Sequence, residues 1–403
     1  MERAEWKWYR ILRAPWGMVL GFCIFWMGLQ ASSLGPLTPI LITQLGGLDK
    51  AQVVLFFVVN ILTGIVVNLT AGYLSDGKVP RPLLILVAGL VSTAGNAGLA
   101  AGGPAEMLYV YGALTSTGLV LFSQFFALGQ AEVMKHWSKQ DKVLGTTVLR
   151  TAFSLGFIIG TGLAAILLLW IDLRSLFWFL AASGALFAVF SAAVTAWVEA
   201  SGRAIGSQPS EAEHHASRQS QLAVIPWGAL IVPIAALALM QGADRARMIY
   251  MPLVVVQSFH DARWAPLLFG ITAAMELGTM VLVGSLAVRF GEKRTIVAGA
   301  FLGSACFAAM AVFPTLAVLF LANVAYSFFI AMLMGVAMAF VQGLLAHRPG
   351  MGGSLYVLTM NLGSLVGTLA PIVITGYSST TFLLPAGLCL LGALLMFGTK
   401  PQK

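Results

Sequence analysis

The sequence has few charged residues and few of the side chains that hold metals or form disulfides. Only 9% of its 403 residues are Asp, Glu, Lys or Arg, whereas an average soluble domain has about 25%. Its three cysteines, Cys23, Cys306 and Cys389, lie far apart within apolar stretches, which excludes a disulfide framework and a metal-ligand spacing. Paired carboxylates on one surface are missing as well. We therefore expect no cofactor, no metal site and no enzymatic activity.

The sequence also has only one long polar stretch, residues 199–222. This stretch contains Ser, Gly, Gln, three acidic residues and His214-His215, and it divides the apolar stretches into two groups of six. Charge-mixed sequence of this kind cannot bury enough apolar surface to fold, so we expect a disordered linker. We predict an N-terminal bundle over 1–198, a cytoplasmic linker over 199–222 and a C-terminal bundle over 223–403. No long soluble domain remains to serve as a sensor output.

Apolar residues make up 59% of the chain. They are grouped in stretches of about 20 residues or more, the length that crosses a bilayer as a helix. The sequence therefore predicts an all-α membrane protein surrounded by lipid. We expect twelve transmembrane helices, over residues 17–42, 51–74, 82–102, 106–131, 144–170, 175–198, 223–256, 264–288, 295–313, 315–345, 353–376 and 380–398.

The basic residues are distributed unevenly between the two sides of this predicted topology. The net charge is +8, and seventeen of the 23 Lys and Arg residues fall on the side that carries both termini. Cytoplasmic loops are enriched in Lys and Arg, so both termini are expected in the cytoplasm. The positive charge is accounted for by topology, and no nucleic-acid partner is expected. No Ala-x-Ala site follows a short apolar core near Met1, so we do not expect a removable signal peptide.

A short motif follows the second apolar stretch of each half. Its first copy begins at Gly72 and its second at Gly284, and both open small-x-Leu-small and close on basic residues. Repetition at about half the chain length predicts two copies of one design. Both copies resemble the loop between the second and third helices of the major facilitator superfamily. The resemblance implies gating roles for Gly72, Asp76, Arg81, Gly284, Arg289 and Arg294.

The two copies of this loop differ in one important residue. In the family, the acidic residue caps the start of the eleventh helix, where a helix N-terminus favours an anion. Asp76 matches it, and with Arg81 it would latch the cytoplasmic gate in one conformation. The second copy has Val288 instead of the acid. Only the first half is therefore expected to form this latch.

Short matches along the whole chain resemble the bacterial sugar efflux transporter branch of that superfamily. The chain departs from the branch pattern at Tyr250, where an acidic residue is expected, and at Gln130-Ala131, where an Arg-Glu pair is expected. The matches include Gly28-Leu29-Gln30-Ala31, Leu149-Arg150, Met251-Pro252-Leu253, Met275-Glu276-Leu277 and Phe340-Val341-Gln342.

The resemblance implies a fold and a function. The fold would be two pseudo-symmetric six-helix bundles that alternate access to a site near the middle of the membrane. The function would be export of sugars or related small polar solutes in exchange for protons, by a monomer in the bacterial inner membrane. A proton-linked importer and an exporter of amphipathic compounds remain alternatives. A copper pathway along the 17 methionines is a more remote one, because thioethers bind Cu(I) but Cys and His are scarce.

Ionisable residues within the predicted helices are the first candidates for the transport chemistry. A charge in the middle of a membrane costs at least ~2.5–3.5 kcal/mol, so such groups usually face a cavity or a partner. Asp244 and Arg247 are three residues apart, which puts them on one helix face, as a substrate site or as an ion pair. Glu276 is a candidate proton carrier, or a partner of Arg247, and Asp244 and Glu132 are the other carriers considered. Arg150 could bind substrate or pair with Glu132.

Glutamines form a second group of candidates. An amide both donates and accepts hydrogen bonds, which suits sugar hydroxyls, and the faces of Trp26 and Phe125 could stack on a sugar ring. Helices one, four, seven and ten line the cavity in the family, so the resemblance favours the glutamine in each as a substrate ligand. The alternative for each is a hydrogen bond between helices. These residues are Gln30, Gln124, Gln241 and Gln342.

Overall fold

A computed structural model describes residues 16–75, 79–129, 139–204, 227–344 and 349–399. Every regular element in these ranges is helical. The chain divides into two compact units, Met1–Ser207 and Gln208–Lys403. Helices satisfy the backbone hydrogen bonds within each segment, which is a strict requirement for a chain that crosses hydrocarbon.

The described residues of the first unit form six long helices. The fourth is interrupted by a 3-10 turn at Ser116–Gly118, and we number it as one helix. The helices are α1 (Gly17–Gln44), α2 (Lys50–Ser75), α3 (Arg81–Ala101), α4 (Ala105–Leu128), α5 (Lys139–Leu167) and α6 (Leu173–Ala204).

The part of the second unit that the structure describes forms six more long helices. The fourth of this set is interrupted by a π-helical turn at Met332–Val336, and a 3-10 turn, Ala370–Val373, extends the fifth. The helices are α7 (Trp227–Phe259), α8 (Trp264–Phe290), α9 (Glu292–Val312), α10 (Leu316–Leu344), α11 (Pro349–Leu369) and α12 (Leu383–Gly398).

These helices confirm the all-α membrane prediction. Within the described residues, eleven helices are long and apolar enough to cross a bilayer. The twelfth long helix, α7, carries Asp244, Arg245 and Arg247. Several helix boundaries differ from the predicted ones by a few residues, and α6 continues to Ala204, six residues into the stretch assigned to the linker. Most of that stretch, residues 205–222, lies outside the described part of the chain.

The two units pack their helices in the same order. In the first unit the most extensive packing joins α1 with α5 and α3 with α6, and in the second it joins α7 with α11 and α9 with α12. These are equivalent pairs when α7 is counted as the first helix of its unit. This equivalent packing agrees with the internal repeat that the loop motif indicates in the sequence.

Glycines bring the helices of these pairs close together. A Cβ added at Gly156 of α5 would lie well under 3.0 Å from the carbonyl oxygen of Phe25 in α1, and one at Gly28 would meet the carbonyl of Phe153. In the second unit, a Cβ at Gly367 of α11 would meet the carbonyl of Gly242 in α7. Small residues allow such an approach between membrane helices.

The interruptions of α4 and α10 are supported by side chains of neighbouring helices. Asn60 of α2 donates from Nδ2 to the Gly112 carbonyl at 2.7 Å, just before the 3-10 turn, and Ser92 of α3 donates to the Thr115 carbonyl at 3.1 Å. Within the π turn, the Leu333 carbonyl accepts a hydrogen bond from the Tyr356 hydroxyl at 2.6 Å. Irregular backbone is tolerated at membrane depth where protein groups supply partners of this kind.

Candidate functional site

A buried arginine on α7 is the centre of the candidate site. The side chain of Arg247 is only 2% exposed. Its Nε donates to Asn323 Oδ1 at 3.1 Å and its Nη2 donates to Thr272 Oγ1 at 2.8 Å, so α8 and α10 both hold it. The guanidinium also lies over the rings of Phe269 and Tyr326, at 4.5 Å and 4.4 Å from their centroids. Aromatic faces stabilise a cation, which offsets part of the cost of burial.

Asp244 joins this arginine through a tyrosine. The hydroxyl of Tyr326 donates to Asp244 Oδ1 at 2.5 Å, while the ring of the same tyrosine lies against Arg247. The sequence predicts that Asp244 and Arg247 share a helix face, and the structure places Tyr326 of α10 as the link between them. A charge-assisted hydrogen bond of this type is stronger than one between neutral groups.

Glu276, on the next helix, lies within electrostatic range of the same arginine. It is four residues after Thr272 on α8, so the two side chains point to one face of that helix. Glu276 and Asp244 both lie close enough to act electrostatically on the Arg247 guanidinium. Asp244, Arg247 and Glu276, which the sequence relates only in pairs, therefore belong to one group in the structure. We call this set, with Tyr326 and Asn323, the Arg247 network.

The sequence gives unequal signals for the members of this network. Asn323 stands out as an amide at membrane depth, although not as a ligand of Arg247. Thr272, Phe269 and Tyr326 carry no such signal, because hydroxyl and aromatic residues are common in membrane helices. Arg245, next to Asp244, is half-buried. Among the described residues, no group of three or more His, Cys, Asp or Glu side chains could hold a metal ion.

Two of the candidate glutamines are used in bonds between helices. Gln30 of α1 donates from Nε2 to Ser183 Oγ of α6 at 3.3 Å. Gln241 of α7 donates to the Tyr356 hydroxyl of α11 at 3.3 Å. Both therefore show the interhelical bonding that the sequence leaves open as the alternative to a substrate role.

The remaining candidates of the first unit differ in burial. Gln124 of α4 is 2% exposed, whereas Arg150 of α5 is exposed. Gln342, in the second unit, is half-buried in the last turns of α10. Glu132, predicted as a partner of Arg150 or a proton carrier, lies outside the described residues.

The first copy of the gate loop is only partly described. Asp76, its acidic residue, lies outside the described residues, so the predicted latch with Arg81 stays a prediction. Arg81 is half-buried at the first position of α3. A Cβ added at Gly72, or at Gly284 in the second copy, would meet no described atom within 4 Å. The packing within each unit therefore does not require glycine at either position.

The second copy of the loop is a single-residue turn. Gly291 connects α8 to α9 with φ of 89°, in the left-handed region that glycine adopts without strain. Arg289 and Arg294 on either side are exposed. Lys293 donates from Nζ to the carbonyls of Phe397 and Thr399 at the end of α12. A cation at a helix C-terminus satisfies carbonyls that have no partner within the helix.

We expect Tyr356→Phe to destabilise the protein by about 1–3 kcal/mol, because it leaves the Leu333 carbonyl in the π turn without this donor. It also removes the acceptor of Gln241. Thermal unfolding of the purified variant in detergent measures the effect. Tyr73→Phe is the control, since Tyr73 is 64% exposed. An equal change in both variants would contradict the structural role of the Tyr356 hydroxyl.

Comparison with known sequences relates the chain to sugar efflux transporters. The profile of the Major Facilitator Superfamily matches residues 20–346 and, in a second match, residues 246–403. Sugar efflux transporter C of Escherichia coli (strain K12) is 25% identical over 327 residues, which are 77% of this chain and 77% of the relative. A putative sugar efflux transporter of Deinococcus radiodurans is 25% identical over 409 residues, covering 96% of this chain and 99% of the relative. The predicted resemblance to this branch is confirmed.

Comparison with solved structures supports the fold. The peptide transporter POT superposes with a TM-score of 0.70 at 15% identity, over 95% of this chain and 93% of that one. The nucleoside transporter NupG superposes with a TM-score of 0.67 at 13% identity, over 95% and 99%. At such identities the likeness bears on the fold alone. The profile covers most of the sequence and the relatives are transporters, so this chain is a multi-pass membrane transporter rather than an enzyme, and it belongs to the major facilitator superfamily.

Proposed function

We propose that the protein exports sugars or related small polar solutes in exchange for protons, by alternating access and as a monomer. We further propose that it does so in the bacterial inner membrane with both termini in the cytoplasm. Relatives named as sugar efflux transporters support the cargo and the direction. The proposal of proton coupling rests on the Arg247 network.

The network has the composition that proton coupling requires. Two carboxylates, Asp244 and Glu276, lie near one buried guanidinium, Arg247. Uptake of a proton by either carboxylate removes one negative charge from a region where an unbalanced charge is costly. The hydrogen bonds around Arg247 would then favour a different arrangement. Protonation is thereby linked to conformation, because the two protonation states stabilise different packings of α7, α8 and α10.

Tyr250 stands where the resembled branch pattern has an acidic residue. Its side chain is fully buried, and its hydroxyl donates to the Thr368 carbonyl of α11 at 2.8 Å. A position that is acidic in the branch pattern is thus a structural hydrogen bond between α7 and α11. We propose Asp244 and Glu276 for the coupling role, and Glu132 is the third candidate carboxylate. Asp76 and Arg81 are proposed to latch the cytoplasmic gate, with Gly72, Gly284, Arg289 and Arg294 as further gate residues.

The test is transport into inverted vesicles with a panel of labelled sugars, with and without a pH gradient. We expect wild type to accumulate sugar when the gradient is present. Glu276→Gln should reduce accumulation to the level seen without a gradient, because the amide cannot carry the proton. Glu106→Gln is the control, since Glu106 is an exposed carboxylate in the first turn of α4.

The outcomes separate cargo, direction and coupling. If no sugar moves in either vesicle orientation, the sugar cargo is wrong, and accumulation only in right-side-out vesicles would indicate an importer. If sugar export proceeds unchanged in Glu276→Gln, Asp244→Asn becomes the deciding variant. Retained coupling in both would remove the Arg247 network from the mechanism.

A further inference from the structure

Two buried polar atoms of the N-terminal unit have no hydrogen-bond partner among the described residues. One is Oε1 of Gln124 on α4 and the other is Nε1 of Trp26 on α1. Unpaired polar groups in a protein interior are rare, and each one calls for an explanation such as a bound molecule. The contrast with Gln30 is direct, because its amide reaches Ser183 of a neighbouring helix.

The two side chains border the same apolar cluster. Gln124 follows Val120 and Leu121 on the buried face of α4, and both are members of that cluster. Trp26 packs against the cluster as well. The ring of Phe187 from α6 joins the two helices, because it stacks on Trp26 at 6.0 Å and contacts Phe125 of α4 at 6.2 Å. A donor and an acceptor thus lie in one apolar setting, on two helices that meet the same aromatic ring.

We propose that Trp26 and Gln124 form a hydroxyl-recognition subsite for the transported solute. A hydroxyl group both donates and accepts, so it complements one unpaired N–H and one unpaired carbonyl oxygen. A sugar adds apolar C–H faces, which suit a position beside aromatic rings. This inference rests on the proposed function and deepens it, because it assigns hydroxyl recognition to two named residues of α1 and α4.

The helix that carries Gln124 has a suitable point of movement. Both unpaired atoms are closed off from solvent in this conformation, so a solute reaches them only when α1 or α4 shifts. The 3-10 turn Ser116–Gly118 ends six residues before Gln124 and interrupts the α-helical pattern of α4. Short 3-10 stretches within helices often act as hinges. Movement at this turn would open Gln124 to an arriving hydroxyl and enclose it again.

The experiment measures sugar binding to the purified full-length protein by titration calorimetry. The probes are D-glucose, D-galactose and a disaccharide, followed by the monodeoxy analogues of each sugar that binds. The variants are Gln124→Met, which keeps the length of the side chain, and Trp26→Phe, which keeps an aromatic ring but removes the N–H. Trp178→Phe is the matched control, because Trp178 is 48% exposed on α6.

We expect Gln124→Met and Trp26→Phe each to weaken sugar binding by about ten- to a hundredfold. One monodeoxy analogue should bind wild type as weakly as the parent sugar binds the variants, because it lacks the hydroxyl that the two residues recognise. For the same reason, neither substitution should weaken the binding of that analogue further. If one hydroxyl bridges both side chains, the double variant should lose little more than a single one. Trp178→Phe should bind like wild type.

Several results would overturn the inference. If wild type binds sugars and Gln124→Met binds them equally well, the subsite is wrong although the proposed cargo stands. If wild type binds none of the sugars, both the proposed cargo and the proposed subsite are wrong. Melting temperatures without sugar check folding, and Gln124→Met should be at least as stable as wild type because it removes an unpaired buried oxygen. If Gln124→Met nevertheless unfolds, Trp26→Phe and the monodeoxy analogues measured on wild type test the subsite instead. Equal affinity of wild type for all of these analogues would refute the subsite.

Discussion

Arg247→Met is expected to abolish gradient-driven transport and to destabilise the protein by about 3–5 kcal/mol, the usual cost of removing one member of a buried charge cluster. The substitution removes the guanidinium hydrogen bonds to Asn323 Oδ1 and Thr272 Oγ1. It also leaves two carboxylates, Asp244 and Glu276, without the cation on which they act. Transport into inverted vesicles and thermal unfolding in detergent measure the two effects.

Two further variants separate a role in transport from a role in folding. Arg247→Lys keeps the charge but not the planar fork that bonds Asn323 and Thr272 together, so it should fold better than Arg247→Met and still fail in coupled transport. Arg174→Met, an exposed arginine at the start of α6, should behave like wild type. Full gradient-driven transport in Arg247→Met would show that the buried guanidinium is dispensable for coupling.

Gly156→Ala and Gly367→Ala are expected to prevent normal folding. Each added Cβ would lie well under 3.0 Å from a backbone carbonyl oxygen of the partner helix, of Phe25 for the first and Gly242 for the second. A backbone atom cannot move aside as a flexible side chain can, so the paired helices must separate. Overpacking typically costs about 1–3 kcal/mol, and we expect these two positions at or above the upper end. The yield of monodisperse protein and the melting temperature measure the effect.

The same units supply controls for these glycine variants. Gly162→Ala lies on α5 and Gly387→Ala on α12, and a Cβ at either position would meet no described atom within 4 Å. Both should be neutral or slightly stabilising, because alanine favours helix by about 1 kcal/mol over glycine. A melting temperature for Gly156→Ala that equals that of Gly162→Ala would show that α1 and α5 are not as close as described.

The helices could be predicted from the sequence because the bilayer imposes a simple rule on composition. Each stretch of about 20 apolar residues becomes a helix, whatever it packs against. The pattern Gly156-x-x-x-Gly160 likewise predicts close packing on α5, and the structure shows that α1 is the partner. The same spacing in Gly363-x-x-x-Gly367 of α11 gives the equivalent prediction for the second unit, where the partner is α7.

The candidate site could be predicted only in part. Asp244, Arg247 and Glu276 are conspicuous because charges are rare in apolar sequence, but their grouping depends on how α7, α8 and α10 are rotated. That rotation is set by packing across the whole unit and leaves no local pattern. The role of Tyr326 therefore could not be predicted from the sequence, although its hydroxyl donates to Asp244 and its ring lies against Arg247. For the same reason Gln30 and Gln124 look equivalent in the sequence, and the structure distinguishes them.

The π turn of α10 has a consequence for reading related sequences. In Met332–Val336 the chain bonds from residue 337 back to residue 332, one residue further than in an α-helix. Each residue of an α-helix turns about 100° around its axis, so this one extra residue resets the angular phase of everything after it, including Gln342. A helical wheel drawn through α10 without a break would assign Gln342 to the wrong face. An alignment with a homologue whose tenth helix is regular should therefore place a one-residue gap within 332–336.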